Sequence, residues 1–221
     1  MRNRRNYIHY FFKLLLTIFL FLFVFIFSVK IISNFKLLYY FDIKHLNIEK
    51  YTNLNKEQIK STYDYLVYYI NTTKPIEFKI PLLISSKEGI IHFEEVKNLF
   101  SKLNYVLFTS TLFIAFGIYF MKKHRNFAPL KWCSNLLLCS CLLIFATFFI
   151  NFDKAFDSFH EIFFNNDYWL FSPQTDPVIN ILPEEYFLHC SVFIIFLILC
   201  WSIILRIIYK KNSNLMKWYS H

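Results

Sequence analysis

Four stretches of this chain, 14–32, 103–121, 132–152 and 186–209, stay apolar over about the 20 helical residues needed to cross a hydrocarbon core. Backbone polar groups inside lipid must be satisfied within the protein, so unbroken runs of this length are helices. Composition agrees: 56% of the 221 residues are apolar and 22% aromatic, with 29 Phe and only 2 Gly. That excludes a disordered chain, a collagen-like repeat and an ordinary soluble domain. The expected fold is all-α and transmembrane, a four-helix membrane bundle.

The formal net charge of +9 then raises a question of placement: a nucleic-acid patch, or a marker of membrane sides. Arg2, Arg4, Arg5 and Lys13 precede the first span, and Lys122, Lys123, Arg125 and Lys131 lie between the second and third. Arg206, Lys210, Lys211 and Lys217 close the fourth, so these segments hold twelve basic residues and no acid. The other side carries the remaining twelve Lys and Arg with all fifteen Asp and Glu, a net of −3. The positive-inside rule puts both termini and the 122–131 loop in the cytoplasm, and segments 33–102 and 153–185 outside. The basic residues are topology signals, and nucleic acid is not an expected partner.

The first span is expected to be a retained helix, because its apolar run exceeds a signal-peptide core and Ser28-Val29-Lys30 is a poor cleavage site. Arg206 is placed to snorkel to the headgroups. Cys133, Cys139, Cys141, Cys190 and Cys200 all fall within spans, which fits buried thiols and neither a disulfide framework nor a zinc finger. The spans lack acidic residues and paired Gly or Pro interruptions, which argues against a secondary transporter.

The 33–102 segment carries periodic patterns of its own. Asn55 with Gln58 is a capping-box pair, and Ile59, Tyr63, Leu66 and Ile70 follow at helical spacing. Ile76, Phe78, Ile80 and Leu82 alternate with Glu77, Lys79 and Pro81, which predicts a short edge strand. Ser85 with Glu88 is expected to open a second helix, whose stripe of Phe93, Val96, Phe100 and Leu103 runs into the second span. Together these predict a small α+β extracytoplasmic cap. In 153–185, Phe152, Phe156, Phe159 and Phe163 extend the third span as a helix or turn along the interface, and Ser172 to Pro177 breaks the pattern. Tyr168 and Trp169 suit the headgroup region.

Of the seven histidines, His9, His124 and His221 lie in basic or terminal cytoplasmic segments, and His45 has only solvated neighbours. Three remain. His92 has Glu88 and Glu95 on adjoining helical faces, His160 has Asp157 three residues before it, and His189 begins the fourth span. At about 1.5 Å per residue, His92 and His160 stand roughly 16 and 12 Å from their nearest spans, heights at which they can meet. Imidazoles oriented by carboxylates suit proton transfer near neutral pH. Zinc held by His92, His160 and His189 is the competing reading, but the outer segments contain no His-x3-His, His-Glu-x2-His or Cys-x2-Cys. No metal or cofactor is expected, and no Gly-x-Ser-x-Gly elbow is present.

The run Phe159-His160-Glu161-Ile162-Phe163-Phe164-Asn165-Asn166-Asp167-Tyr168-Trp169, with Pro173-Gln174-Thr175-Asp176 and Leu182-Pro183-Glu184-Glu185-Tyr186-Phe187, resembles the signature of the lipoprotein intramolecular transacylase family, Lit, of Gram-positive bacteria. His92-Phe93-Glu94-Glu95-Val96-Lys97 resembles that family's His-x-x-Asp-Val-Lys stretch, with Glu95 in place of the usual Asp and Glu88 one residue out of register with an upstream Glu. The span layout and loop lengths agree, so the resemblance covers nearly the whole chain.

The resemblance implies a multi-pass cell-membrane enzyme acting on diacylglyceryl-modified lipoproteins. It would move the sn-2 acyl chain of the diacylglyceryl-cysteine onto that cysteine's α-amino group, leaving a lyso-form lipoprotein. It also carries the family's two functional histidines onto His92 and His160, at the extracytoplasmic face. Glu95 and Asp157 are then supporting carboxylates, and Asn165, Asn166 or backbone N–H groups are candidate oxyanion donors. An acid-base pair and an acyl-imidazole route both remain open. The reading from another class is a non-enzymatic accessory or sensor protein that binds lipid or peptide in its outer cap.

Overall fold

The computed structural model describes the backbone of residues 2–218 and the side chains of 7–148 and 150–214. The side chains of Arg2, Arg4, Arg5 and Lys217, used above for orientation, and all of His221 lie outside the described residues. Among the described residues there are seven α-helices and no strand. They are α1 (Arg2–Ser33), α2 (Lys36–His45), α3 (Lys56–Asn71), α4 (Lys87–Lys123), α5 (Ala128–Ile150), α6 (Phe152–Phe163) and α7 (Glu184–Trp218). Helices α1, α4, α5 and α7 are long and apolar enough to cross a membrane.

The chain forms two compact units. The first comprises residues 1–30, 104–146 and 194–221, the apolar lengths of α1, α4, α5 and α7. Its core joins Leu16, Leu20 and Val24 of α1 to Met121 of α4, Cys133, Leu137 and Cys141 of α5, and Ile198 and Leu205 of α7. Lipid tails are as apolar as these side chains, so packing and small polar contacts must hold the helices together. A Cβ on Gly117 would lie 2.2 Å from Leu16 Cδ1, so its absence lets α1 and α4 approach. Buried Ser202 donates its hydroxyl to the Ser134 carbonyl at 2.9 Å, tying α7 to α5. Arg206 reaches the Asn135 side chain at 2.6 Å.

The second unit, residues 31–103 and 147–193, holds α2, α3, α6 and the first turns of α4 and α7. Asn55 and Gln58 form the expected capping box at the start of α3, which buries Ile59, Tyr63 and Leu66. Helix α2 presents Leu38, Tyr39, Asp42 and Ile43 as one buried face, and the Tyr39 ring stacks on Tyr63 with centroids 3.7 Å apart.

The expected α+β architecture is corrected here: this unit has no sheet among its described residues. The alternation over 76–81 does set burial, since Phe78 and Ile80 are buried while Glu77 and Lys79 are exposed. A ladder needs a second strand, however, and none is present to bond this one. The extended segment instead packs on helices, with Phe78 stacked on Phe93 at 4.5 Å and the Lys79 N–H donating to the Tyr65 hydroxyl at 2.7 Å. The helix over the third span stops at Ile150. Asn151 takes an extended conformation and accepts the Lys154 N–H, which caps α6 as a separate helix.

Candidate active site

Helix α4 begins one residue later than Ser85 and Glu88 suggested. The cap is Ser86, whose hydroxyl oxygen accepts the Gly89 N–H at 2.9 Å. In a capping box the third helical residue returns a carboxylate to the cap's own N–H. Here that residue is Gly89, and the carboxylate comes from Asp176, ninety residues away, whose Oδ1 accepts the Ser86 N–H at 2.8 Å. Asp176 is 4% exposed, and its Oδ2 accepts the Thr175 hydroxyl at 2.8 Å. The Pro173–Asp176 segment is thereby pinned to the first turn of α4, one and a half turns ahead of His92.

His92 on α4 is buried, and its ring lies 5.9 Å from that of His160 on α6. Around them stand Phe164 at 4.8 Å and Phe171 at 5.5 Å from the His92 ring, and Trp169 at 4.6 Å from the His160 ring. The Trp169 and His160 planes are only 20° apart, so the indole lies over the imidazole. His160 Nδ1 sits 2.8 Å from the Phe156 carbonyl oxygen, one turn back on α6. A carbonyl only accepts, so Nδ1 carries the hydrogen and Nε2 keeps its lone pair. The same helical geometry that builds α6 thus sets the tautomer of its histidine.

A helix of 37 residues is roughly 55 Å long, against about 30 Å of hydrocarbon, so only part of α4 crosses it. His92 lies eleven residues ahead of the apolar run that starts at Leu103. Burial first, and the neighbouring His160 in the same sense, lower its pKa from 6.5 to about 4. His160 is also lowered by burial, with the Phe156 carbonyl and the Asp157 charge pulling the other way. Both rings are therefore neutral at pH 7. Glu95, three residues after His92, accepts the Asn166 amide N–H at 2.9 Å through Oε1, and Asn166 Oδ1 accepts the Tyr168 N–H at 3.1 Å.

Four buried side-chain polar atoms lack a partner among the described residues, and three of them belong to this cluster: His92 Nδ1, Glu95 Oε2 and Trp169 Nε1. Leaving one such group unsatisfied costs about 1–3 kcal/mol, so three together mark a place built to receive polar atoms. One is a donor, one an acceptor and one an imidazole nitrogen. Set beside a lone pair on His160 Nε2, they make an apolar cup equipped to bind a polar group and shift a proton.

The model of the lipoprotein intramolecular transacylase Lit family matches residues 14–187. The chain belongs to the Lit family. It is an acyltransferase of the membrane. Among solved structures it is similar to the membrane-integral lipoprotein intramolecular transacylase Lit from Bacillus cereus, with a TM-score of 0.92 and 31% identity over 96% of this chain and 99% of that one. A Bacillus cereus Lit variant with one histidine changed to arginine gives 0.88 and 30% identity, covering 98% and 97%. A variant with a histidine changed to alanine gives 0.87 and 30%, covering 98% of both chains. A search of curated proteins finds no match.

In this Lit-family chain, His92, His160, Glu95 and Asn166 come together, whereas Asn165 and Asp157 stay exposed. His189 goes elsewhere: its Nδ1 donates to both carboxylate oxygens of wholly buried Asp42, at 3.0 and 2.9 Å. His45 is not merely solvated, since its ring stacks on Phe41 at 5.3 Å and lies 5.8 Å from His189. Among the described residues no three His, Cys, Asp or Glu side chains converge with metal-ligand spacing. Sequence reasoning missed the site's contributions from Trp169, Phe164, Phe171 and Asp176. Trp169 reads as a headgroup-belt residue, and its membership in the cup depends on the fold of the 164–176 loop.

Proposed function

We propose that this Lit-family acyltransferase moves the sn-2 acyl chain of a diacylglyceryl-cysteine lipoprotein onto the α-amino group of the same cysteine, giving the lyso form. The observation that carries this reading is the imidazole pair, one ring of which has its tautomer fixed with Nε2 basic. Family membership supplies the acyl-transfer class, and the pair fits its proton balance.

Nucleophile and ester sit on one lipid-modified residue, so holding them in attack geometry is worth several kcal/mol, on the order of 7. The amine loses a proton on attack and the glyceryl oxygen gains one on leaving. His160 Nε2 takes the first and becomes an imidazolium, and that proton returns to the glyceryl oxygen through His92, whose charging is opposed by His160, so the pair carries only one positive charge at a time. Glu95 supports the site through Asn166, and Asp157 keeps His160 from losing too much basicity. No cofactor enters. The charge pattern supports an N-in, C-in arrangement with the cup's residues, all from 33–102 and 153–185, on the extracytoplasmic side where modified lipoproteins are found.

The test is mass spectrometry of a synthetic diacylglyceryl-cysteine peptide incubated with the purified full-length protein. The expected product has unchanged mass and an N-acyl, S-monoacylglyceryl fragmentation pattern. His92→Ala and His160→Ala should each slow transfer by about 10²- to 10⁴-fold. His189→Ala should lower thermal stability by stranding Asp42, yet retain transfer at a permissive temperature. A peptide whose α-amine stays free in the presence of wild-type protein would refute the reading.

A further inference from the structure

The orphaned donor at Trp169 has a use that follows from the acyl-transfer reading and rests on it. We propose that the Trp169 indole N–H is the oxyanion donor of the reaction.

Attack of an amine on an ester carbonyl forms a C–N bond and pushes the carbonyl π electrons onto oxygen. That charge needs a donor held where the oxygen will be, in a place without water. Asn165 and Asn166 are the donors that residue type alone suggests. Asn165 is exposed, and Asn166 gives an amide hydrogen to Glu95 while its oxygen takes the Tyr168 N–H. The indole nitrogen is donor only, is buried, and has no partner. Its ring lies nearly parallel over His160, with centroids 4.6 Å apart. An indole N–H and an imidazole Nε2 lone pair both lie in their ring planes. The stacking therefore places a donor-bearing ring directly against the ring that carries the base.

Glu95 Oε2 is the complementary orphan, an acceptor that takes an N–H and never an oxyanion. Donor and acceptor thus match opposite partners of the new bond: Trp169 binds the carbonyl oxygen and Glu95 holds the amine. The electrons balance without any co-reactant. The amine proton passes to His160 Nε2, the oxyanion on Trp169 collapses, the C–O bond to glycerol breaks, and the glyceryl oxygen takes that proton back from the histidine pair, which returns to its starting state. Amide and alcohol are the products.

The experiment uses full-length protein in detergent micelles with the diacylglyceryl-cysteine peptide. Trp169 is replaced by Phe, and separately, by site-specific incorporation, with β-(3-benzothienyl)alanine, which keeps the bicyclic ring and substitutes sulfur for N–H. The expected result is a 10²- to 10³-fold fall in kcat for the benzothienyl protein with KM nearly unchanged, and a similar fall for Trp169→Phe. Melting temperatures close to wild type exclude a folding defect. Full kcat in the benzothienyl protein would reduce Trp169 to a stacking surface for His160, and a rise in KM alone would make it a ground-state contact; either overturns the proposal. Because wild type is assayed beside the variants, failure of wild type to convert the peptide would sink the acyl-transfer reading instead.

Discussion

Placing a single methyl group on Gly89 should destabilise this protein although Gly89 sits in a helix, where alanine is the better former by about 1 kcal/mol. The added Cβ would stand 2.2 Å from Asp176 Oδ1 and 3.0 Å from its Cγ. A carboxylate is a side-chain end and can rotate away, but only by releasing the Ser86 N–H and the Thr175 hydroxyl, both at 2.8 Å. Asp176 is 4% exposed, so water does not replace those donors freely. Hydrogen bonds to a charged group contribute about 1.5–3 kcal/mol each. Set against the helix-propensity gain, the net cost of Gly89→Ala is about 2–5 kcal/mol. Asp176→Ala alone loses the same bonds and should cost a similar amount. In the double variant the collision is gone, so Gly89→Ala should become neutral or stabilising by up to about 1 kcal/mol, a reversal of sign. Thermal melts in detergent, followed by tryptophan fluorescence, should show each single variant lower by roughly 4–20 °C and the double no worse than Asp176→Ala. If Gly89→Ala melts at or above wild type, or if the two effects add, Asp176 is not acting as the missing carboxylate of the α4 cap.

Two further outcomes are expected. Between pH 6.5 and 4 the unfolded chain binds a proton at His92 that the folded chain refuses, because burial holds the folded pKa at about 4; stability is full above 6.5 and falls by about 2 kcal/mol on going to pH 5. His92→Asn should remove that share of the acid sensitivity, seen as a smaller difference in melting temperature between pH 7 and pH 5, and an equal difference in both proteins would refute it. For orientation, in a background with the five cysteines changed to serine, Lys56→Cys should react with an impermeant thiol reagent in intact cells and Lys123→Cys only after lysis, the opposite pattern reversing the topology.

The helix α3 was fully legible in the sequence, because its capping box and its buried stripe involve neighbours three and four residues apart. The segment 76–82 is half legible: its alternation gives the buried side at Phe78 and Ile80 but not at Leu82, which is exposed, and whether extended backbone becomes a sheet depends on a partner that no local pattern encodes. The start of α4 was misplaced by one residue for a related reason. Ser85 with Glu88 satisfies the local rule, yet the structure uses Ser86 because Asp176 arrives from ninety residues away to complete it.

By itself, the sequence determined the properties that each residue carries alone or shares with near neighbours: the apolar lengths that make spans, the asymmetric Lys and Arg on which the proposed orientation rests, and the caps and stripes of α3. Hydropathy and helix propensity are sums over local terms, so they survive without coordinates. The resemblance to Lit added the pairing of His92 with His160, which no spacing rule could supply across 68 residues. Tertiary structure alone decided that Trp169 stacks on His160 with its N–H unspent, that Asn166 is committed to Glu95, and that His189 serves buried Asp42 across 147 residues. Each of these depends on which groups lose water together, and burial is a property of the assembled chain.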